Sequence, residues 1–435
     1  MNKIIIIFII FALSLIIGYV LYTNISILPL DFLNMLRSFR DTGQEITKSA
    51  ERTAGIPLNA KIHDSNFIVE EFVTGLSQPT AMTFVGNDIL ILEKNTGYVK
   101  LIRDKEIISK PLLEFEVVST NESGLLGITS YQNDVYIYVT ESDDGVKIGN
   151  NIYRYTWDGN NLIDQQLVNT LSNESSWHNG GSMTVDLNGQ VFAVIGDQMG
   201  GGREGTKNDL RLLQNHNNGD FDDSGVILKV ALKPEIIKPM LDENPLLHYH
   251  AIGIRNSFGL TVDPLTGNLW DTENGPEDFD EINLVNSGFN SGWDIAMGPI
   301  TEEQNSKILS IEGFQYSDPE FSWERTVAPT GLDFVTSELY NPYENHLLVG
   351  TCSTGQILKF KLNDDRTGFE FSSPHLQDLV ANLIETESGE KEVESIDEIV
   401  FGDGFGCVTD ITFGTDEFLY VVSITDNTIY RIIPI

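Results

Sequence analysis

Hydrophobic and polar positions alternate in short runs along most of the chain, and the runs recur in a fixed order. From residue 66 onwards, a strand pattern is followed by a turn with Gly, Asn or Asp, a more apolar strand, a polar loop and a third strand. The pattern occurs six times, beginning with AMTFVGNDILILEKNTGYVKLI and ending with DITFGTDEFLYVVSITDNTIYRI. Repeats of about four short strands are typical of propellers. We therefore predict an all-β chain that folds as a six-bladed β-propeller over residues 66–435.

The ends of this repeat array predict how the ring closes. The strand pattern at Phe67–Phe72 precedes the first repeat and is expected to pair with the last one. In a closed ring, the loops at one end of the inner strands meet at one mouth of the central channel, so polar residues distant in sequence are expected to converge there.

The N-terminus has a different pattern. Ile4–Tyr22 is an uninterrupted apolar run of transmembrane length, and Lys3 precedes it. It predicts an N-terminal transmembrane helix (residues 1–22) that anchors the protein with its bulk on the extracytoplasmic side. The alternative is a cleaved signal peptide and a secreted protein. Residues 23–65 are predicted to be a stalk or linker between this segment and the propeller.

Composition narrows the possible ligands. The chain has 27 Lys and Arg against 64 Asp and Glu, a formal net charge of −37. Such a charge repels phosphates and excludes a nucleic-acid partner, whereas a divalent cation or a neutral substrate is compatible with it. The two cysteines, Cys352 and Cys407, fit either one disulfide or two buried thiols.

The most informative stretch is Ala251–Trp293. It predicts a hairpin around the turn DPLTG, followed by the acidic sequence ENGPEDFDE. The five carboxylates of that sequence repel one another unless a cation or solvent relieves the repulsion; a solvated loop is the simpler interpretation. Arg255-Asn256, just before the hairpin, adds a donor suited to an anion or a carbonyl oxygen.

His178 provides the second candidate chemistry. It lies in WHNGG, before the first strand of the third repeat, where an imidazole at the channel mouth is suited to act as a general base. Asp197, at the end of VIGD, is placed to orient that imidazole. A structural histidine and an Asp turn cap are the alternatives.

Seven motifs occur in order at the spacing of the repeats: GLLG (124–127), HNGG (178–181), VIGD (194–197), GIRNSFGL (253–260), ENGPEDFDEINL (273–284), NSGW (290–293) and TVAPTGL (326–332). Together they resemble the glucose/sorbosone dehydrogenase family. That family includes the soluble PQQ-dependent glucose dehydrogenases and the aldose sugar dehydrogenases, which are six-bladed propellers. The resemblance runs from about Phe72 to the end of the chain.

The resemblance implies roles for individual residues at one site. His178 matches the base that removes a proton from the sugar's anomeric hydroxyl while hydride passes from C1 to the quinone. The other matches are Asp197 and Asp280 as carboxylates around that histidine, Arg255 and Asn256 as contacts of the quinone oxygens, the carbonyls of Gly275 and Pro276 as calcium ligands, and Glu122 and Thr326 as cofactor-site residues.

The chain also departs from the family's pattern. Ser353 stands where the family has a basic residue, and Cys407 and Thr409 stand where it has an arginine pair. Those basic residues neutralise the carboxylates of PQQ. Cys352 adjoins the first of these positions, so the resemblance leads to the hypothesis that Cys352 and Cys407 are close and form a disulfide.

We therefore interpret the chain as an extracytoplasmic PQQ- and calcium-dependent aldose dehydrogenase, acting on a sugar or small polyol with an unknown electron acceptor. The alternative is a non-catalytic calcium-binding propeller that binds a saccharide or a protein partner, because the basic residues for the PQQ carboxylates are missing. A calcium-assisted hydrolase ranks below both, since no nucleophile adjoins His178. GDFDDSG (219–225) has the opening spacing of a second calcium loop but lacks its final Glu.

Overall fold

The computed structural model describes residues 60–171, 175–198, 212–215, 223–230, 248–385 and 391–435. All of them belong to one compact unit, Leu58–Ile435. The predicted transmembrane segment and nearly all of the predicted stalk lie outside these ranges. Within them, no helix is both long enough and apolar enough to cross a membrane.

This unit is an all-β propeller, and its strands are numbered here in chain order. Its first two sheets consist of β3 (Pro79–Val85), β4 (Asp88–Glu93), β5 (Tyr98–Arg103), β6 (Glu106–Ile107) and β7 (Leu113–Glu114), and of β8 (Leu125–Tyr131), β9 (Asp134–Asp143), β10 (Val146–Trp157) and β11 (Leu162–Leu171). The third consists of β12 (Met183–Val185), β13 (Val191–Ile195), β14 (Val226–Val230) and β15 (Tyr249–Ile252), extended by the parallel strands β19 (Phe289–Asn290) and β20 (Gln315–Tyr316).

The fourth sheet consists of β16 (Ser257–Val262), β17 (Leu269–Glu273), β18 (Asp278–Val285), β21 (Phe321–Arg325) and β25 (Val380–Ala381). The fifth consists of β22 (Pro329–Phe334), β23 (His346–Thr351), β24 (Ile357–Lys361), β28 (Val400–Asp403) and β1 (Lys61–Ile62), and the closing sheet of β29 (Val408–Phe413), β30 (Leu419–Ser423), β31 (Thr428–Pro434) and β2 (Phe67–Thr74). Among the described residues, the connections contain a two-stranded ribbon, β26 (Leu383–Glu385) and β27 (Lys391–Val393). They also contain the short helix α1 (Glu302–Asn305) and the 3₁₀ turns Leu212–Gln214, Glu338–Tyr340 and Pro374–Leu376.

The prediction of a six-bladed propeller is wrong, and the predicted transmembrane helix lies outside the described residues. Five blades, not six, take their four antiparallel strands from a single segment of the chain each. The last repeat supplies only three strands, and its sheet is completed by β2, which pairs antiparallel with β31. This pairing of the N-terminal strand was expected. Several blades also exceed four strands, because short strands from the connecting loops, such as β7 and β25, add to the outer part of the sheet.

The packing between sheets explains why these strands are so apolar. The first strands of successive sheets contact each other in the order β3, β8, β12, β16, β22 and β29, and β29 contacts β3 again. Second strands such as β17 and β23 are buried on both faces, because a neighbouring sheet covers each side. Trp270, Phe321 and Trp323 fill the space between the fourth and fifth sheets.

The antiparallel order within each sheet places the candidate residues at one end of the ring. In an antiparallel pair, the start of the first strand lies beside the end of the second strand. Asp197 follows the second strand of its sheet, whereas His178 and Arg255 precede the first strand of theirs. These positions therefore share one mouth of the ring, although they are far apart in sequence.

Candidate active site

His178 is buried in a loop that the backbone holds in an unusual conformation. Its φ angle is 54°, in the left-handed region that non-glycine residues seldom adopt. The amide of His178 donates to Glu122 Oε2 at 2.5 Å, and its carbonyl accepts from the amide of Gly196 at 3.1 Å. Glu122, predicted to be a cofactor-site residue, thus holds the main chain of the histidine.

The imidazole of His178 is oriented by a carboxylate. Its Nδ1 lies 2.5 Å from Asp197 Oδ1, and Asp197 Oδ2 accepts a hydrogen bond from Trp293 Nε1 at 2.7 Å. Both side chains of the His178–Asp197 pair are buried. A carboxylate on Nδ1 favours the tautomer with the proton on that atom and makes Nε2 the proton acceptor. The pair therefore has the arrangement of an oriented general base.

Gly196 allows the two key loops to approach each other. A Cβ atom built on Gly196 would clash with the carbonyl oxygen of Arg255 and lie 2.8 Å from that of His178. The next residue, Asp197, donates its amide to the Arg255 carbonyl at 2.8 Å. Glycine at this position of VIGD therefore brings the His178 and Arg255 loops together.

The guanidinium of Arg255 lies on the start of the acidic loop. Its Nη1 donates to the carbonyl oxygens of Asn274 at 2.6 Å and Gly275 at 2.9 Å, and its Cζ lies 5.4 Å from the centroid of the Trp293 ring. Trp293 thus contacts both Arg255 and Asp197. Trp293 belongs to the motif NSGW, but the motif does not predict these contacts, because a tryptophan at that position is equally consistent with core packing.

Asn256 is buried beside Arg255 and holds the same loop through its main chain. Its carbonyl oxygen accepts hydrogen bonds from the amide of Asn274 at 2.9 Å and from Asn274 Nδ2 at 3.3 Å. Arg255 and Asn256 together therefore fix the main chain that leads to Gly275 and Pro276.

Asp280 holds the other side of this loop. Its Oδ1 accepts from the amide of Gly275 at 2.8 Å, and its Oδ2 accepts from the amides of Val327 at 2.6 Å and Ala328 at 2.8 Å. Burial raises the pKa of Asp280, and these three amides offset part of that effect. The hydrogen bonds of Asp280 thus go to the main chain around the loop, whereas the ring of His178 is held by Asp197. Thr326 is half-buried and directly precedes Val327 and Ala328, in the connection between β21 and β22.

The acidic stretch is only partly solvated, contrary to the simpler interpretation of its sequence. Glu277 and Asp278 are exposed, whereas Glu273, Asp280 and Glu281 are buried. Glu273 and Glu281 are direct cross-strand neighbours on β17 and β18. Burial raises the pKa of both above the usual range of a glutamate, and the negative charge of Asp271 adds to the effect on Glu273.

Two further observations bear on a metal. The carbonyl oxygens of Gly275 and Pro276 are the type of donor that calcium prefers. Among the described residues, no group of three or more His, Cys, Asp or Glu side chains is arranged to hold a metal ion. The proposed second calcium loop, 219–225, lies mostly outside the described residues; within it, Asp223 accepts a hydrogen bond from the Tyr249 hydroxyl at 2.7 Å.

The two cysteines are joined by a disulfide, with Cα atoms 3.8 Å apart. Ser353, next to it, is exposed, and the hydroxyl of Thr409 donates into the core, to Pro79 O at 3.2 Å. These are the positions at which the family resemblance leads one to expect basic side chains. Three other basic residues were candidates to replace this charge. Arg325 is exposed and donates to Lys391 O at 3.0 Å, and Arg203 and Lys207 lie outside the described residues.

Comparison with known proteins identifies what the chain is similar to. The Glucose / Sorbosone dehydrogenase family matches residues 76–429. The aldose sugar dehydrogenase YliI of Escherichia coli K12 is 24% identical over 319 residues, which cover 68% of this chain and 81% of that protein. The quinoprotein glucose dehydrogenase B of Acinetobacter calcoaceticus is 28% identical over 284 residues, 58% of this chain and 57% of that protein.

Solved structures show the same fold. The PQQ-bound form of an aldose sugar dehydrogenase from Streptomyces coelicolor superimposes with a TM-score of 0.57 at 19% identity. The superposition covers 86% of this chain and 98% of that structure. At this level of identity the likeness concerns the fold and carries no information on individual site residues.

Proposed function

Since the chain belongs to the glucose/sorbosone dehydrogenase family, we propose that it is an oxidoreductase that dehydrogenates a hydroxyl-bearing carbon of a sugar or small polyol, with His178 as the base. The observation that carries this proposal is the buried His178–Asp197 pair, with 2.5 Å between Nδ1 and Oδ1. The family and its sugar-oxidising relatives support the reaction class.

The chemistry of the site follows from the atoms that face the substrate. The substrate hydroxyl gives its proton to Nε2 of His178, while the carbon of the same group loses a hydride and becomes a carbonyl. Asp197 stabilises the imidazolium that forms, because its carboxylate lies on the opposite ring nitrogen. For an aldose oxidised at C1, the product is the lactone. Return of the proton from His178 to solvent restores the base.

The hydride needs an acceptor, and a quinone such as PQQ supplies this chemistry when bound. The described residues are compatible with the reactive end of such a cofactor. The carbonyls of Gly275 and Pro276 lie on the loop that Arg255 holds, and Arg255 packs on Trp293, which donates to the carboxylate partner of His178. A cation on those carbonyls would act as a Lewis acid there. A carbonyl oxygen has two lone pairs, so the hydrogen bond from Arg255 leaves Gly275 O able to accept a cation.

At the opposite end, the described residues fit the carboxylates of PQQ poorly. The Cys352–Cys407 disulfide and Thr409 supply no positive charge. Each lost charge-assisted hydrogen bond costs about 1.5–3 kcal/mol of binding. This observation favours the second candidate function, a non-catalytic propeller that binds a saccharide or protein partner, and predicts weak PQQ binding if the first is correct.

The proposed location is the extracytoplasmic side. The disulfide supports it, because such bonds persist in oxidising compartments and are rare in the cytosol. A neutral sugar substrate is compatible with the net charge of −37.

Reconstitution tests the function. Purified protein is incubated with Ca²⁺ and PQQ, binding is followed by calorimetry, and oxidation of several aldoses is followed with an artificial dye acceptor. Dye reduction that requires sugar, and that the His178→Gln variant lacks, supports the dehydrogenase. If PQQ binds at micromolar concentrations without any turnover, or does not bind at all, the non-catalytic function is favoured.

A further inference from the structure

We propose that Lys147 is a positioning residue that holds the His178 loop in the conformation needed for proton abstraction, an inference that rests on the proposed function of His178. Lys147 lies on β10, in the blade before the one to which the His178 loop leads. Its Nζ donates to the carbonyl oxygen of Ser175 at 2.6 Å and to Asn179 Oδ1 at 2.9 Å. These two acceptors lie on either side of His178 in the chain, so one ammonium group spans the loop.

The acceptor on the C-terminal side is part of a buried network. Asn179 is fully buried, and its Oδ1 also accepts hydrogen bonds from Asn150 Nδ2 and Gln198 Nε2, each at 3.0 Å. Its carbonyl oxygen accepts from the hydroxyl of Tyr138 at 2.7 Å. Three donors on one amide oxygen fix the side chain of Asn179, and Lys147 is the charged one among them. A charged donor makes a stronger hydrogen bond than a neutral one.

The loop needs such contacts because its own backbone does not favour this conformation. His178 has a φ angle of 54°, and Gly180 and Gly181 follow it at 64° and 109°. A non-glycine residue in the left-handed region costs about 1 kcal/mol. No regular secondary structure covers residues 175–182. The conformation is therefore maintained by main-chain and side-chain contacts from neighbouring elements, and the ammonium group of Lys147 reaches both ends of the segment.

Lys147 is more buried than the two residues that flank it on β10. Its neighbours Val146 and Ile148 are 67% and 50% exposed, whereas Lys147 is half-buried. Lysine normally keeps its ammonium group in solvent, and burial of this one lowers its pKa to about 8. In most strands the apolar residues are buried and lysine is exposed. Here the two apolar neighbours are exposed and the lysine is half-buried. The contacts to Ser175 and Asn179 are the compensation for that cost.

Substitution of Lys147 tests the proposal, with a matched control elsewhere. Lys147→Met keeps the length of the stem and removes the donors, and Lys147→Arg keeps a cation that can donate to two acceptors. Lys359→Met is the control, because Lys359 is also a half-buried lysine whose Nζ donates to two carbonyls, Glu398 O at 2.7 Å and Val400 O at 3.1 Å, in another blade. Lys147→Gln is the second variant if Lys147→Met does not fold.

The first readout does not require the cofactor. Diethyl pyrocarbonate acylates accessible unprotonated histidines, and peptide mass spectrometry reports the rate at His178 alone. We expect Lys147→Met or Lys147→Gln to acylate His178 about 10-fold faster than the wild type, since an opening made easier by about 1.4 kcal/mol exposes the ring ten times more often. Lys147→Arg restores most of the protection, and Lys359→Met leaves the rate unchanged.

The second readout is turnover of the reconstituted protein. For the same variants we expect kcat to fall about 10- to 100-fold with KM within a factor of about three, because misplacement of the base affects the reaction more than sugar binding. Wild-type acylation and wild-type kcat in both Lys147→Met and Lys147→Gln would overturn the proposal while leaving the dehydrogenase function intact. If the wild type itself shows no turnover, the proposed function fails, and the acylation rates still decide whether Lys147 holds the loop.

Discussion

The disulfide between Cys352 and Cys407 connects the loop after β23 with the loop before β29, and so ties the fifth blade to the closing sheet. A series of hydrogen bonds connects the disulfide to the candidate site. The amide of Cys352 donates to the carbonyl of Ala328 at 2.8 Å, and the amide of Ala328 donates to Asp280 at 2.8 Å. Asp280 in turn holds Gly275. Three consecutive contacts therefore link the disulfide to the proposed calcium ligand.

The double variant Cys352→Ser/Cys407→Ser is expected to be less stable by about 3–4 kcal/mol, because the bond closes a loop of 55 residues in the unfolded chain. Urea unfolding measures the change. Reduction of the wild type should reproduce it, and the same reductant should leave the double variant unchanged. Equal stability of oxidised and reduced wild type would show that the bond does not constrain the native protein.

Replacement of His178 or Asp197 is expected to abolish most of the proposed turnover. His178→Gln removes the base and should lower kcat by about 10²–10⁴-fold. Asp197→Asn keeps the shape, but an amide has only one oxygen and cannot accept from both Trp293 Nε1 and His178 Nδ1. The tautomer of the imidazole then changes, and Nε2 no longer accepts a proton.

Trp293→Phe is the control for the Asp197 variant, since it removes one hydrogen bond to Asp197 and leaves the carboxylate on His178. It should lose much less activity than Asp197→Asn. Equal loss of activity in both variants would contradict the hypothesis that Asp197 acts mainly by orienting the ring of His178. Steady-state rates with a dye acceptor and circular dichroism of each variant provide the comparison.

The convergence of three motifs at one mouth of the ring could be predicted from the sequence, whereas the blade architecture could not. HNGG, VIGD and GIRNSFGL could be placed at one mouth because their position relative to each strand determines which end of the sheet they occupy. The additional short strands, such as β19 and β25, were not predictable, since two-residue segments carry no periodicity and form only where a neighbouring sheet edge is available.

Burial of charged residues was the least predictable feature. The sequence around Glu273 and Glu281 is typical of a solvated acidic loop. In the structure both residues are buried, on strands covered by sheets on both sides. The contacts of Lys147 could not be predicted from the sequence. Its partners Ser175 and Asn179 are about 30 residues away and are brought near only by packing between two blades. Such contacts depend on tertiary structure rather than on local pattern.

Calcium is expected to stabilise the protein if the carbonyls of Gly275 and Pro276 bind it. A ligand that binds only the folded state adds about 2.7 kcal/mol at a concentration 100 times its Kd. The unfolding temperature should therefore rise on addition of millimolar Ca²⁺ to chelator-treated protein. Asp280→Asn, which disturbs the amide of Gly275, should reduce this rise, and Asp263→Asn, which lies just after β16 and is bound to Arg366, should not. An unchanged unfolding temperature of the wild type would argue against the site.

Two buried aspartates, Asp271 on β17 and Asp263 just after β16, are expected to give opposite pH dependences of stability. Burial raises the pKa of Asp271 to about 7, and neither oxygen of its carboxylate accepts a hydrogen bond from the described residues. Its unfolded pKa is about 3.9. The folded state therefore binds more protons between these values, and its contribution to stability falls as the pH rises from about 4 to 7.

Burial also tends to raise the pKa of Asp263, but the hydrogen bonds from Arg366, at 2.7 and 3.0 Å, together with the Leu265 amide outweigh it and lower the pKa. The contribution of Asp263 to stability is present above its unfolded pKa and is lost as the pH falls through its folded pKa.

Asp271→Asn should thus stabilise the protein by about 1–3 kcal/mol at pH 8 and have little effect near pH 4. Asp263→Asn should destabilise it by about 3 kcal/mol at pH 7, because Arg366 is left without its carboxylate. Urea unfolding of Asp271→Asn between about pH 4 and pH 8, and of Asp263→Asn between about pH 2 and pH 7, measures the two slopes. A destabilised Asp271→Asn variant at pH 8 would show that the carboxylate is ionised and compensated in the folded protein.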